Sequence, residues 1–233
     1  MFDRLKKVLS SSVHEDAHPL ENWRLGGKAL TPASDWAASR GFAYFSTGGD
    51  YFEVSGNAAG RHWKLECGEA SRDFIEGAEL RARADLKIRE DVAVFIWNRV
   101  LKETLENRAY ELYTDSLQTT ADPNLPDEMR WLSLYQEVGW NQLSPAFWGR
   151  YAVLADEREQ AFRWITPALA DLLISWPSRT PPQQPFILML LRGKAYLRMQ
   201  HLPADIVTLN HAVLVLAAAC ESAVHNLSTD IRL

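Results

Sequence analysis

The sharpest match to a chemical motif is the stretch 14–18, whose sequence HEDAH fits the pattern H-E-x-x-H. On a helix this spacing places two imidazoles one turn apart, where they bind zinc while the glutamate acts as the base of a metalloprotease. The neighbouring sequence argues against this function, because three serines precede the motif and Pro19 follows it directly. No apolar face is present to bury such a helix, and no third ligand can be assigned. We therefore predict that His14 and His18 bind no metal ion.

The two cysteines are not spaced for catalysis with a nearby histidine. His62 and Cys67 lie five residues apart, and on a β-strand this separation directs their side chains to opposite faces. Cys220 follows His211 by nine residues, which on a helix is half a turn out of phase. Neither pair predicts a thiolate activated by an imidazole.

Other local motifs are equally uninformative about catalysis. Glu221 and His225 lie one helical turn apart and can share a metal ion, but such a pair is more often a solvated contact near a helix C-terminus. The spacing of Gly56 and Gly60 lacks the following lysine of a phosphate loop, and G-x-S-x-G and dinucleotide-binding patterns are absent from the sequence. We therefore assign no catalytic, cofactor-binding or metal-binding residue.

A group of charged residues has the spacing of a binding surface. Residues 79–86 alternate between charged and apolar side chains, which places Arg81 and Arg83 on one face if the segment is a strand. Two such arginines can hold a carboxylate through paired hydrogen bonds, whereas on a helix they would diverge by about 200°. The alternative is a solvated face whose cross-strand ion pairs add little stability. The candidate interaction surface consists of Glu53, Lys64, Glu66, Arg81, Arg83 and Asp85.

The element that must position this surface is a β-hairpin. Residues 51–55 and 61–67 both alternate with a period of two, which is typical of half-buried strands. Between them, residues 56–60 contain two glycines and an asparagine and predict a five-residue loop. Trp63 shares the apolar face of the second strand, so we predict that it lies in the core.

The remaining chain predicts helices around antiparallel strands. A neighbouring strand is predicted over 42–46, a second hairpin over 186–200 and a strand over 147–155. Residues 92–97 are either a buried strand or the first turns of a helix. Further helices are predicted at about 99–114, 128–137, 157–164, from Pro167 onward, and 204–223.

These elements together predict the fold class α+β, because strands follow one another through short turns rather than through helical crossovers. We predict an N-terminal helix and polar linker over 1–32, and two α+β subdomains over 33–122 and 123–233 within one compact unit. The turn-rich segment around Pro123 and Pro126 is the boundary that we assign between the subdomains.

Composition limits the classes of function. The chain of 233 residues has a net charge of −5 and no long basic run, so it lacks the charge pattern of a nucleic-acid-binding protein. No apolar run of signal-peptide length occurs near the N-terminus, and the two distant cysteines form no disulfide framework. We therefore expect a cytoplasmic protein with reduced thiols.

These observations favour a non-enzymatic accessory protein, such as an adaptor or a chaperone-like protein, with a protein partner whose identity the sequence does not give. Two alternatives stay open. One is an enzyme whose site is assembled from dispersed carboxylates, since such sites leave no local motif. The other is a peripheral membrane protein that docks through a short amphipathic helix over residues 2–10, a function that we do not favour because the helix has fewer than three turns.

Overall fold

In the part of the chain that the structure describes, nine strands form one sheet in which every pair of neighbours is antiparallel. A computed structural model of the chain describes residues 31–115, 126–177 and 183–228. Seven helices pack on the sheet within these ranges, so the predicted α+β class is confirmed. The strands are β1 (Ala43–Gly48), β2 (Tyr51–Ala58), β3 (Arg61–Glu69), β4 (Ala78–Asp85), β5 (Ala93–Asn98), β6 (Gln136–Val138), β7 (Tyr151–Ala155), β8 (Phe186–Leu191) and β9 (Lys194–His201). The helices are α1 (Pro32–Ser39), α2 (Arg99–Asp115), α3 (Asp127–Leu134), α4 (Pro145–Arg150), α5 (Arg158–Trp164), α6 (Pro167–Ile174) and α7 (Ile206–Leu227).

The order of the strands across the sheet is β1-β2-β3-β4-β9-β8-β5-β7-β6. The first four strands form a meander in chain order, and the hairpin β8–β9 then lies between β4 and β5. Strands from both of the predicted subdomains, 33–122 and 123–233, are therefore hydrogen-bonded into the same sheet.

The hairpin of β2 and β3 has the predicted faces but a shorter turn. Phe52 pairs with Cys67 and Val54 with Leu65, and all four side chains are buried. The prediction of a five-residue loop is wrong, because both strands extend toward the turn and leave only the residues 59–60 between them. Both turn residues have positive φ, which suits the twist of a two-residue hairpin.

Gly56 therefore lies in a strand rather than in a loop. A Cβ atom on this residue would lie 2.6 Å from the ring of Trp63, its partner across the hairpin. A glycine inside a strand often marks such a close approach. Trp63 itself is buried, as predicted, and its ring meets that of Phe42 edge-on at a centroid distance of 5.0 Å.

Two segments differ from their predictions. The predicted strand over 147–155 is a helix as far as Arg150, because Ser144 caps its N-terminus and Pro145 occupies its first turn. Only residues 151–155 form a strand, β7, and this strand is buried on both faces. The helix predicted over 128–137 ends at Leu134, and the short edge strand β6 follows.

Other predictions agree with the structure. Of the two alternatives left open for residues 92–97, the structure has the buried strand, because most of the segment belongs to β5 rather than to the helix that follows. The second hairpin is present as β8 and β9, and Thr166 caps α6 with Pro167 in its first turn. Strand β1 lies beside β2, as expected for the segment 42–46.

The two faces of the sheet are covered to different extents. One face packs against α1 and α4–α7 and forms the larger core. The other face packs against α2 and α3 only in the region of β5, β7 and β8, where it forms a second core around Phe95 and Trp97. The rest of this second face, on β2, β3, β4 and β9, presents charged side chains, and we call it the open face.

Helix α7 is the main helix of the larger core. By length and composition it is the helix among the described residues that could cross a membrane. More than half of it is buried, however, and it contacts β9, β2 and the helices α5 and α6. This burial is what a core helix needs, and it accounts for the apolar composition.

Candidate interaction surface

The open face brings the predicted surface residues together on adjacent strands. In the pairing of β3, β4 and β9, Arg81 lies between Glu66 and Arg198, and Arg83 lies between Lys64 and Tyr196. Because paired residues in an antiparallel sheet point to the same face, all of these side chains share the open face. The strand geometry that a two-arginine surface requires is therefore present.

A cavity of about 490 Å³ lies on this face. All of the predicted surface residues except Glu53 line this cavity. The Glu53 carboxylate lies 2.7 Å from Nζ of Lys64, which is one of the lining residues. Tyr196 and Arg198 were not among the predicted surface residues, although they alternate with apolar residues along β9 in the same way as Arg81 and Arg83 along β4. The residues that line the cavity are His62, Lys64, Glu66, Arg81, Ala82, Arg83, Asp85, Met189, Tyr196, Leu197 and Arg198.

Lys64 is held by two carboxylates. Its ammonium group lies 2.7 Å from Oε2 of Glu53 and 3.0 Å from Oε1 of Glu66. Hydrogen bonds to Glu53 and then to Glu66 raise the pKa of Lys64 above its usual value. Lys64 is thus a poor candidate for binding a further anion, since its charge is already compensated.

Glu79 lies on the polar side of β4, as predicted, but it is fully buried. Its Oε2 accepts hydrogen bonds from the backbone N–H of Ser71 at 2.7 Å and from the Ser71 hydroxyl at 2.8 Å. Its Oε1 lies 2.8 Å from Nη1 of Arg198. Burial lowers the pKa of the Arg198 guanidinium, while Glu79 acts in the opposite direction. Glu79 therefore fixes both the loop that follows β3 and the guanidinium of Arg198.

Arg81 takes part in the same network. Its guanidinium lies 3.6 Å from Glu66 and 3.8 Å from Glu79, distances that allow ion pairing without a close hydrogen bond. Arg83 differs from its neighbours. It is exposed, and among the described residues it has neither an ion pair nor a hydrogen bond through its guanidinium.

A second buried carboxylate lies next to this network. Glu128 at the start of α3 is 1% exposed, and its Oε1 accepts a hydrogen bond of 2.6 Å from Nε of Arg72. This contact joins the loop after β3 to α3. Glu79 and Glu128 are the buried carboxylates of the described residues, and each forms an ion pair with an arginine. A buried charge needs such a partner, so both carboxylates have a structural role that accounts for their burial.

The other residues weighed for chemistry in the sequence do not form a reactive group with the open face. His62 is exposed and Cys67 is buried on the opposite side of β3, as expected from their spacing. Glu221 and His225 border a separate cavity of about 770 Å³ beside α6 and α7. Within the described ranges no three His, Cys, Asp or Glu side chains are grouped so that they could hold a metal ion. His14, His18 and the segment 2–10 lie outside these ranges.

Comparison with known proteins identifies no family. No protein-family description matches the chain, and no curated protein matches it. The fold is partly similar to that in the crystal structure of the mycobacterial trehalose monomycolate transport factor A, TtfA. The two chains share 12% sequence identity with a TM-score of 0.46 over 81% of this chain and 90% of the other. At this level the likeness carries no argument about what either protein binds.

Proposed function

We propose that this protein is a non-enzymatic accessory protein that binds a protein partner through its open face, around Arg81 and Arg83. The observation that supports the proposal is the cavity of about 490 Å³ on the open face, where arginines from β4 and β9 converge. Arginine is enriched at protein interfaces because its planar guanidinium combines charge, paired hydrogen bonds and stacking.

A protein partner fits this face better than a nucleic acid does. The chain carries a net charge of −5, and most cations of the open face are already paired with carboxylates. Binding to a phosphate backbone depends on many unpaired cations that release counterions. We also propose that the protein works in the cytoplasm, a location supported by two buried free thiols, Cys67 and Cys220.

The test compares the double variant Arg81→Ala/Arg83→Ala with the wild-type protein in affinity purification from the native host. We expect one co-purifying protein to be lost in quantitative mass spectrometry, while the melting temperature stays close to that of the wild type. The same protein, purified separately, should bind the wild type and fail to bind the double variant in calorimetry.

The matched control is Arg40→Ala, which removes an exposed arginine that follows α1 on the helix-covered side of the sheet. It should retain the partner. An unchanged set of co-purifying proteins in the double variant would refute the proposed function.

A further inference from the structure

The charges around the cavity on the open face are balanced. The cationic side chains that line it are Lys64, Arg81, Arg83 and Arg198. The carboxylates that line it or bind these cations are Glu53, Glu66, Glu79 and Asp85. The two sets are equal in number, so the cavity has no large excess of positive charge to attract a polyanion.

The carboxylates are nevertheless distributed unevenly among the four cations. Lys64, Arg81 and Arg198 each have at least one carboxylate within 4 Å, whereas Arg83 has none in the part of the chain that the structure describes. Asp85 lies two residues further along the same face, and it accepts a hydrogen bond from the backbone of Lys87 rather than from an arginine. Among the four cations of the cavity, Arg83 is therefore the one whose charge no described carboxylate compensates within 4 Å.

The surroundings of Arg83 add a hydrogen-bond donor and an apolar wall. Tyr196 is its direct partner across the pair β4–β9, and the Tyr196 hydroxyl makes no hydrogen bond among the described residues. The ring of Tyr196 packs on the second core, and Met189 is its partner on β8. A ligand bound next to Arg83 therefore has two kinds of hydrogen-bond donor nearby, the guanidinium and the Tyr196 hydroxyl. It also lies beside the apolar atoms of the Tyr196 ring and of Met189.

We infer that Arg83 and Tyr196 bind one carboxylate of an aspartate or glutamate side chain of the protein partner, with an apolar residue of the partner beside it on Tyr196 and Met189. This inference rests on the proposed function and adds the chemistry of the contact. Arg81 and Arg198, held by Glu66 and Glu79, are positioning residues that keep the wall of the cavity in place. Glu66 and Asp85 on either side repel a second negative charge, so a single carboxylate binds better than an acidic run.

The test uses an acetylated, amidated peptide with the sequence glycine-leucine-glutamate-leucine-glycine, titrated into the ¹⁵N-labelled full chain. We expect saturable NMR shifts of the Arg83 Nε–H and of backbone amides in β3, β4 and β9. The same peptide with glutamine in place of glutamate should bind at least about tenfold more weakly, since a neutral amide forms weaker hydrogen bonds with a guanidinium.

Variants assign the shifts to the predicted groups. Arg83→Gln should weaken binding of the glutamate peptide about tenfold or more and remove the preference over the glutamine peptide. Arg83→Lys should restore part of the affinity, because lysine supplies the charge without the paired geometry. Tyr196→Phe should lower the affinity severalfold, and the matched control Arg40→Gln should behave as the wild type.

Several results would overturn the inference. These are equal binding of the glutamine peptide, unchanged binding by Arg83→Gln, or the absence of saturable shifts up to about 10 mM peptide, the range of the weakest specific contacts. Tighter binding of tripolyphosphate at the same residues would exclude a single-carboxylate site. Free 4-methylpentanoate that binds more than about tenfold tighter than the peptide would assign the site to a small molecule instead.

Failure of the inference is distinguishable from failure of the proposed function. If no peptide shift occurs but the co-purifying partner is still lost in Arg81→Ala/Arg83→Ala, the open face binds a partner by other chemistry and only the inference is wrong. If the partner is retained by that double variant, the proposed function is wrong, whatever the peptide does.

Discussion

Nη1 of Arg198 lies 2.8 Å from Oε1 of Glu79, a carboxylate with no exposed surface. The pair connects the two neighbouring strands β4 and β9, and Ser71 completes the contacts of the carboxylate from the loop after β3. Removal of one partner from a buried ion pair leaves the other charge without compensation, which costs more than the pair itself contributes.

We therefore expect Glu79→Ala to lower the free energy of unfolding by about 3–5 kcal/mol in urea denaturation. Glu69→Ala, at the exposed end of β3, is the matched control and should change it by less than about 0.5 kcal/mol. Equal midpoints for the two variants would mean that Glu79 is not the anchor of this network.

The contact between Gly56 and Trp63 predicts coupled effects on stability. Trp63→Ala should cost about 3–5 kcal/mol, because it removes a large buried ring and leaves a cavity. Gly56→Ala should cost about 1–3 kcal/mol, because the new Cβ would lie 2.6 Å from that ring. In a double-mutant cycle with Trp63→Leu the cost of Gly56→Ala should fall, since the smaller side chain makes room.

A glycine in open surroundings serves as the control for this cycle. Apart from its chain neighbours and the backbone of its own helix, Gly149 in α4 has no described atom within 4 Å of the position of an added Cβ. Gly149→Ala should therefore be neutral or slightly stabilising in the same urea experiment. A cost for Gly149→Ala equal to that for Gly56→Ala would contradict the steric explanation.

His201 predicts a loss of stability in mild acid. The ring is 1% exposed and neither nitrogen has a hydrogen-bond partner among the described residues, and burial lowers its pKa from 6.5 to about 4. The unfolded chain takes up the proton first, so the contribution of neutral His201 is complete above pH 6.5 and is lost as the pH falls to about 4. The loss should reach about 3 kcal/mol.

The measurement is the free energy of unfolding at pH 7 and pH 4.5 for the wild type and for His201→Leu. The two proteins differ in one titratable group, so the difference between their pH dependences reports the imidazole together with its interaction with Asp205. We expect a flatter dependence in the variant. Parallel curves would show that His201 is protonated as easily in the folded as in the unfolded chain.

The two thiols should be unreactive in the folded protein. Burial raises the pKa of Cys67 to about 11 and that of Cys220 to about 12, so hardly any thiolate exists at pH 8. Iodoacetamide should label both residues in urea and neither within an hour without it, as mass spectrometry can show. Rapid labelling of the native protein would mean that the core opens locally.

The alternation of side chains predicted the local parts of the fold. It placed β2, β3, β4 and the hairpin β8–β9, with the buried face correctly assigned for Trp63. It failed over 147–155, where a capped helix precedes a strand buried on both faces, because neither element has one buried and one exposed face that alternate with a period of two. The start signal of α4, a serine followed by a proline, was present in the sequence and would have corrected the boundary.

The composition of the candidate surface was predictable only in part. Arg81 and Arg83 share a face because they belong to one strand, which local sequence reveals. Tyr196 joins them because β9 pairs with β4, and no local pattern indicates which distant strands become neighbours. The unpaired state of Arg83 follows from the positions of several carboxylates around it, which is a property of the assembled sheet.

The position of the hairpin β8–β9 between β4 and β5 also constrains how the chain is made. During synthesis β4 and β5 leave the ribosome long before β9, and until then each lacks the neighbour that covers one of its edges. Pairings between strands so far apart in sequence form slowly, because a long loop must close first. The nascent chain therefore carries two unpaired strand edges until its last hairpin is complete. Its yield of folded protein in the cell depends on preventing those edges from pairing with strands of other chains.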